Sequence, residues 1–270
     1  MKSSIIDTHA HLDMTQFDID RTAVINRASN VGVSTIITVG IDLNSSKSAI
    51  RLAESYTKIL ATVGFHPHEV SSMKKMDIDT MTEMATHPKV VAIGEIGLDY
   101  YRNRSARETQ VQALRWQLEI AERLDLPVIV HCRQADESMF AILHNWAIAT
   151  KRTTKKPRGV IHCFSGSIES AQKYLSLGFF IAFGGYVGYS SSIHLRSVIA
   201  SIPEDKLVVE TDCPFLPPQK YRGQRNESSY LPLTVAVIAE ARGLSLEAVA
   251  RSTTENACRL FGLSEYEYGA

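Results

Sequence analysis

The stretch VVAIGEIGLDYYR, Val90 to Arg102, begins as a buried strand and closes on a charge. β-Branched and apolar residues run from Val90 to Ile93, and Gly94 follows. Glu95 then ends the run, with Gly97 and a loop directly after it. A carboxylate at the end of an apolar strand is costly to bury unless a cation neutralises it. That cation is either a core Arg or Lys or a metal ion, and this stretch alone does not choose between them. Other strand ends decide the matter, because they repeat the device with histidines and an aspartate.

Seven further runs share the short, Val- and Ile-rich character and the flanking turn residues of a strand. They are SIIDTH (Ser4 to His9), TIITVG (Thr35 to Gly40), LATVGFH (Leu60 to His66) and PVIVHC (Pro127 to Cys132). After them come GVIHCF (Gly159 to Phe164), FFIAFGG (Phe179 to Gly185) and KLVVETD (Lys206 to Asp212). Helical spacing fills the intervals, as in Val111, Leu114, Leu118 and Ala121 within Ser105 to Leu124. Ser167 caps a helix that runs to Leu177, with Gly178 just past its end. Ser245 to Phe261 reads as helical material packed after the eighth strand. Strands alternating with helices over about 250 residues give an α/β fold, a (β/α)₈ TIM barrel. No linker or change of composition divides residues 1–270, so one domain is expected.

Composition narrows the class further. Of 270 residues, 44% are hydrophobic and 21% charged, enough apolar material for one large core. No apolar run approaches membrane-spanning length, and the N-terminal MKSSIIDTHAH has no signal-peptide pattern. The four cysteines, Cys132, Cys163, Cys213 and Cys258, form no CxxC pair, which argues against a disulfide framework or structural zinc site and for a reducing cytoplasm. Lys plus Arg balances Asp plus Glu at 29 each, so global charge offers nothing to duplex DNA and any polyanion must be held locally. The basic run KRTTKKPR, Lys151 to Arg158, falls between the fifth helix and sixth strand, on the face away from the active-site end of such a barrel. It reads as a solvated loop.

The strand ends carry the chemistry. His9 and His11, two apart in an extended chain, point the same way. Glu95, His131, His162 and Asp212 stand where four later strands stop, so six ligand-type groups converge on one mouth. Imidazole mixed with carboxylate suits zinc, manganese, iron or cobalt. Six side chains exceed the roughly three protein ligands of one catalytic zinc, and two metals bridged by a carboxylate fit better. Cys132, Cys163 and Cys213 each follow a proposed ligand by one position and are expected to face outward as small buried hydrophobes. Glu210 lies two before Asp212, placed either to orient a liganding histidine or to pair with a core cation. His87, His144 and His194 fall away from strand ends and read as structural. Arg133 points into the same mouth as His131 and could clamp a phosphate.

The chain resembles the TatD family of metal-dependent deoxyribonucleases in DTHAHLD (Asp7 to Asp13), GFHPH (Gly64 to His68) and GEIGLDYY (Gly94 to Tyr101). VHCR (Val130 to Arg133), HCFSG (His162 to Gly166), ETDCPFL (Glu210 to Leu216) and TTENACRLFG (Thr253 to Gly262) extend the likeness almost end to end. The resemblance implies one metal on His9, His11, Glu95 and Asp212, and a second on Glu95, His131 and His162, the two ions being Zn²⁺, Mn²⁺ or Mg²⁺. It suggests substrate or leaving-group contacts for His66 and His68. Arg222 and Arg225, after strand eight, are candidates for further phosphates, and Tyr186 and Tyr189 for base stacking. One departure is Asn226-Glu227-Ser228, where the family often has Asn-Glu-Pro.

The activity implied is a 3′–5′ exonuclease on single-stranded DNA, with RNA as a further substrate, acting as a monomer without a protein partner or membrane. A metal-activated water would attack phosphorus in line, with Asp212 orienting it or taking its proton and Glu95 as the shared carboxylate. The alternative keeps the metals but cleaves amides or esters such as aminoacyl esters, as amidohydrolases do. Many of those bridge their metals with a carboxylated lysine, and Glu95 at that position argues against them. A metal-binding scaffold without catalysis is the third reading, and the completeness of the ligand set argues against it.

Overall fold

The computed structural model describes residues 4–150 and 157–264. Eight parallel strands form one sheet in chain order, β1 to β8. They are β1 (Ile5–Ala10), β2 (Val33–Val39), β3 (Ile59–Val63), β4 (Val90–Asp99), β5 (Val128–Arg133), β6 (Gly159–Ile161), β7 (Phe180–Phe183) and β8 (Leu207–Val209). The ring closes past the end of β8, where Asp212 N–H donates to the His9 carbonyl (2.9 Å) and His11 N–H to that of Cys213 (2.8 Å). Seven helices follow the first seven strands in turn: α1 (Arg21–Asn30), α2 (Leu43–Ser55), α3 (Lys75–Ala85), α4 (Arg107–Arg123), α5 (Asp136–Ala149), α6 (Ile168–Ser176) and α7 (Leu195–Ser201). Two more, α8 (Leu231–Arg242) and α9 (Leu246–Phe261), follow β8. The architecture is the TIM barrel expected from the alternation. Among the described residues no helix is long and apolar enough to cross a membrane. The basic residues 151–156 lie outside the described residues.

Two apolar cores separate cleanly. The barrel interior takes a residue from every strand, including Ile6, Ile37, Leu60, Val91, Ile129, Val160, Phe180 and Val208. Ala257, Leu260 and Phe261 of α9 join this inner core. The Thr254 hydroxyl donates to the Ser4 carbonyl and Asn256 Nδ2 to that of Leu207, both at 2.7 Å, so α9 plugs the N-terminal end of the barrel. The outer core fills the space between strands and helices, with Leu114 and Leu118 of α4 and Leu143 of α5 among its members. With the N-terminal end plugged, the C-terminal mouth is the open end.

Local signals place the helices. Ser167 caps α6 by accepting from Ser170 N–H at 3.2 Å, and Gly178 follows with φ +87°. Ser245 caps α9 through Ala248 N–H at 3.1 Å.

β4 differs from expectation. Glu95 does not end it, since the strand runs on to Asp99. The glycines that look like turn signals serve close packing instead. A Cβ at Gly97, where φ is +150°, would sit 1.9 Å from the His131 carbonyl oxygen, and one at Gly94 would sit 2.6 Å from Ile129 Cβ. The β4–β5 register slips between Ile93 and Ile96, so Glu95 occupies an irregularity in mid-strand. β6 and β8 stop earlier than read, at Ile161 and Val209, leaving His162 and Asp212 on the chain just beyond them.

Gly97→Ala should therefore force β4 from β5 and cost about 3 kcal/mol, read as a fall of roughly 6–12 °C in melting temperature. An unchanged melt would contradict this account of the glycine.

Candidate metal centre

Glu95 is 3% exposed, and its two oxygens face different histidines. Oε2 lies 3.4 Å from His9 Nε2 and 3.8 Å from His11 Nε2. Oε1 lies 2.9 Å from His131 Nδ1, 3.6 Å from His66 Nε2 and 3.8 Å from His162 Nε2. Asp212 Oδ1 completes the first side, 3.4 Å from His11 Nε2 and 3.7 Å from His9 Nε2. Burial alone would raise the Glu95 carboxyl. The imidazoles of His66 and His9 and the contact with His131 reverse this and hold it well below the usual carboxylate range.

The cluster fits a cation. His9 Nε2 and His11 Nε2 stand 3.2 Å apart, aimed at each other in a buried site between two carboxylates. Lone pairs and negative charges converge there, the donor set of a borderline divalent ion. Four overlapping triads bring ligand atoms within 4.8 Å of one another: His9–His11–Asp212, His9–Glu95–His162, His66–Glu95–His131 and His162–Cys163–Asp212. His66, expected to meet substrate, thus stands with Glu95 and His131 in a group that could hold a metal ion. Burial pushes its imidazole down to about 3, against the opposing pull of Glu95.

A second layer of carboxylates positions the first. Glu210 Oε2 is 2.8 Å from His162 Nδ1, while Oε1 accepts the Cys163 N–H at 2.7 Å. Of its two sequence readings, orientation of a histidine is the one the structure supports. Burial lowers the His162 imidazole, but Glu210 outweighs it and raises it to about 10. Asp99 Oδ2 lies 3.1 Å from His131 Nε2 and 2.9 Å from His68 Nε2, linking both rings. Asp7, fully buried, accepts from Thr211 N–H (2.9 Å), the Thr211 hydroxyl (2.7 Å) and His9 N–H (3.3 Å). It thereby ties β1 to the residue before Asp212, and burial pushes its carboxyl up to about 6. Sequence reasoning missed Asp99 and Asp7. Asp7 stood two positions before His9, on the spacing that paired the histidines, and so carried a usable signal.

Several expectations change around this layer. Cys163 does not face outward. The strand has ended, its φ is +50°, and its sulfur joins the group with His162 and Asp212. Cys132 does pack outward, 3.6 Å from the Tyr174 hydroxyl of α6, and Cys213 is buried. Tyr186 offers no stacking face, being 6% exposed with its hydroxyl donating to the Phe164 carbonyl at 2.7 Å. Tyr189 is partly buried with its hydroxyl on the Pro217 carbonyl, and Arg222 lies 4.7 Å over its ring. Arg225 is engaged elsewhere: both terminal nitrogens grip Asp20, at 2.7 and 2.8 Å. Arg133 is exposed at the end of β5. Among the other histidines, His87 lies 3.3 Å from Glu54 and His194 precedes α7, apart from the cluster.

The loop after β8 is braced by Asn226 and Glu227, the two residues just before the departure noted in the sequence. Asn226 Nδ2 donates to the carbonyls of Thr211 (2.8 Å) and Phe215 (2.6 Å), fixing the turn that carries Asp212. Glu227 accepts three bonds from Arg27 of α1, at 2.6, 2.9 and 3.2 Å, and also bonds Ser229. Ser228, in place of proline, is fully buried, 3.8 Å from Cys213 Sγ. Burial raises the Glu227 carboxyl, but Arg27 and Ser229 more than offset this and lower it. A carboxyl lowered on folding stabilises above its unfolded pKa and loses that contribution as pH falls through the folded value. Arg27 is partly exposed, so solvent screens the pair to about 1 kcal/mol. Glu227→Gln should melt below wild type at neutral pH, the gap narrowing as pH drops below about 4. A gap independent of pH would contradict the ion-pair reading.

Comparison with known proteins places this geometry. Residues 6–262 match the family model described as TatD related DNase. The chain is 39% identical over 260 residues to an uncharacterized metal-dependent hydrolase, YabD, of Bacillus subtilis, covering 96% of this chain and 100% of that protein. It is 37% identical over 265 residues to the 3′-5′ ssDNA/RNA exonuclease TatD of Escherichia fergusonii, covering 96% and 100%. The crystal structure of YjjV, a TatD homolog from Escherichia coli K12, superposes with a TM-score of 0.90 at 33% identity, covering 98% of this chain and all of that one. The chain belongs to the TatD related DNase family and is, by that membership, a metal-dependent hydrolase.

Proposed function

We propose that this protein is a two-metal 3′–5′ exonuclease acting on single-stranded DNA and RNA. The observation that carries the reading is Glu95, one buried carboxylate with each oxygen turned to a different set of imidazoles. The relative named for this activity, at 37% identity over the whole of its length, supports the substrate and polarity. His9, His11, Asp212 and Glu95 would hold one divalent ion, and Glu95, His131 and His162 the other, with His66 beside the same Glu95 oxygen. When bound, such ions lower the pKa of water toward neutrality and neutralise charge on phosphoryl oxygens.

The protein's own groups do the rest. Asp212 has the more exposed side chain of the pair, 14% against 4% for the side chain of Glu95, and borders the open mouth. There it orients the attacking water and accepts its proton. Its φ of +57° turns the side chain back over the cluster, a conformation Asp tolerates better than most residues. Glu210 and Asp99 fix the ring orientations of His162 and His131 before substrate arrives. His68, held by Asp99 on the rim, is placed to donate to a leaving oxygen, and Arg133, exposed at the end of β5, supplies a cation to the phosphate. Arg222, exposed after β8, is the remaining candidate for a more distant phosphate, whereas Arg225 is committed to Asp20.

End-labelled single-stranded DNA and RNA, incubated with Mg²⁺, Mn²⁺ or Zn²⁺, test the proposal. Wild type should shorten both stepwise from the 3′ end, and Glu95→Ala should lose at least about a hundredfold in rate. Absence of cutting by protein with two bound metals per chain, or equal cutting by the variant, would overturn it.

A further inference from the structure

The mouth carries two exposed aromatic rings that the chemistry above does not use. Phe215 is 45% exposed and Tyr101 is 52% exposed. Phe215 lies three residues beyond Asp212, to whose carbonyl its N–H donates at 2.9 Å, and its ring centre is 6.0 Å from that of His11. It stands at the β8–β1 seam. Tyr101 lies two residues beyond Asp99, at the ends of β4 and β5. The Tyr100 N–H donates to the Arg133 carbonyl (2.9 Å), Arg102 N–H donates to Asp99 Oδ1 (2.7 Å), and the Arg133 guanidinium lies 4.0 Å over the Tyr101 ring. In a ring ordered β1 to β8, the β8–β1 seam and the β4–β5 pair are diametrically opposed. The two rings therefore flank the cluster from opposite sides, each anchored within three residues of one of its carboxylates.

An exposed phenylalanine beside a polar cluster has no hydrogen-bonding use there. What it offers is a flat apolar face. Stacking on such a face serves any base, because every base has a π-surface. Tyr101 adds a cation, which suits a base followed by a phosphate. We infer that Phe215 and Tyr101 each hold the base of one of the two nucleotides flanking the scissile phosphodiester, a grip on single-stranded nucleic acid that ignores sequence. This rests on the exonuclease reading and extends it. A penultimate base stacked in a duplex is covered on both faces, so gripping both bases requires an unpaired end.

The test removes the base rather than the phosphate. Oligonucleotides abasic at the 3′-terminal or the penultimate position are compared with intact ones, in wild type, Phe215→Ala, Tyr101→Ala and Tyr101→Phe. Wild type should cleave the intact strand about 5- to 100-fold faster than either abasic strand. Each alanine variant should lose that preference at one position only, the two variants at different positions, and Tyr101→Phe should keep it. Indifference of wild type to a missing base, or unchanged preferences in both alanine variants, would overturn the grip. Hydrolysis of bis(4-nitrophenyl) phosphate by metal-loaded wild type separates the two readings. Turnover of this small diester with no base preference overturns the grip alone, whereas no turnover of diester or oligonucleotide overturns the exonuclease reading and the grip with it.

Discussion

A carboxylate buried among five imidazoles is the constraint on which this structure turns. Glu95 must stay ionised where burial opposes it, and the rings of His9, His11, His66, His131 and His162 surround it closely enough to hold it so. Four strands or their extensions, β1, β3, β5 and β6, must deliver those rings to one point. Their orientations in turn depend on Glu210 and Asp99, and the seam that sets Asp212 depends on Asp7 and Asn226. Each removal of an outer carboxylate would leave a buried ring free to turn.

The barrel makes this concentration of polar groups affordable by dividing the labour along its axis. The interior below the cluster is apolar and receives α9 as a plug, while the outer layer ties strands to helices. Polar groups are gathered at the open end, where backbone leaving the strands adopts conformations that regular sheet forbids. Gln134, Cys163 and Asp212, which follow β5, β6 and β8, all have positive φ. Positive φ at such residues is backbone strain of the kind that gathers at functional sites.

The fold was legible because burial on both faces makes each parallel strand a short apolar run, and helices with caps such as Ser167 and Ser245 separate them. The six ligand-type residues were legible because strand ends repeat. Period-two reasoning failed where it was carried past a strand's last residue: Cys163 was assigned the outer face by alternation, yet β6 had ended at Ile161. Gly97 read as a turn because sequence does not distinguish φ freedom from close backbone approach, and Asp99 was lost behind it. Tyr186 and Arg225 were plausible from their loops alone, but a buried hydroxyl bond and an ion pair with Asp20 are long-range facts that no local pattern carries.

The central claim is that Glu95 is shared between two ions. Crystals soaked in Mn²⁺ and measured for anomalous scattering test it most directly. The account predicts two peaks with Glu95 between them, one lined by His9, His11 and Asp212 and the other by His131 and His162. A single peak, or two peaks neither of which touches Glu95, would contradict it.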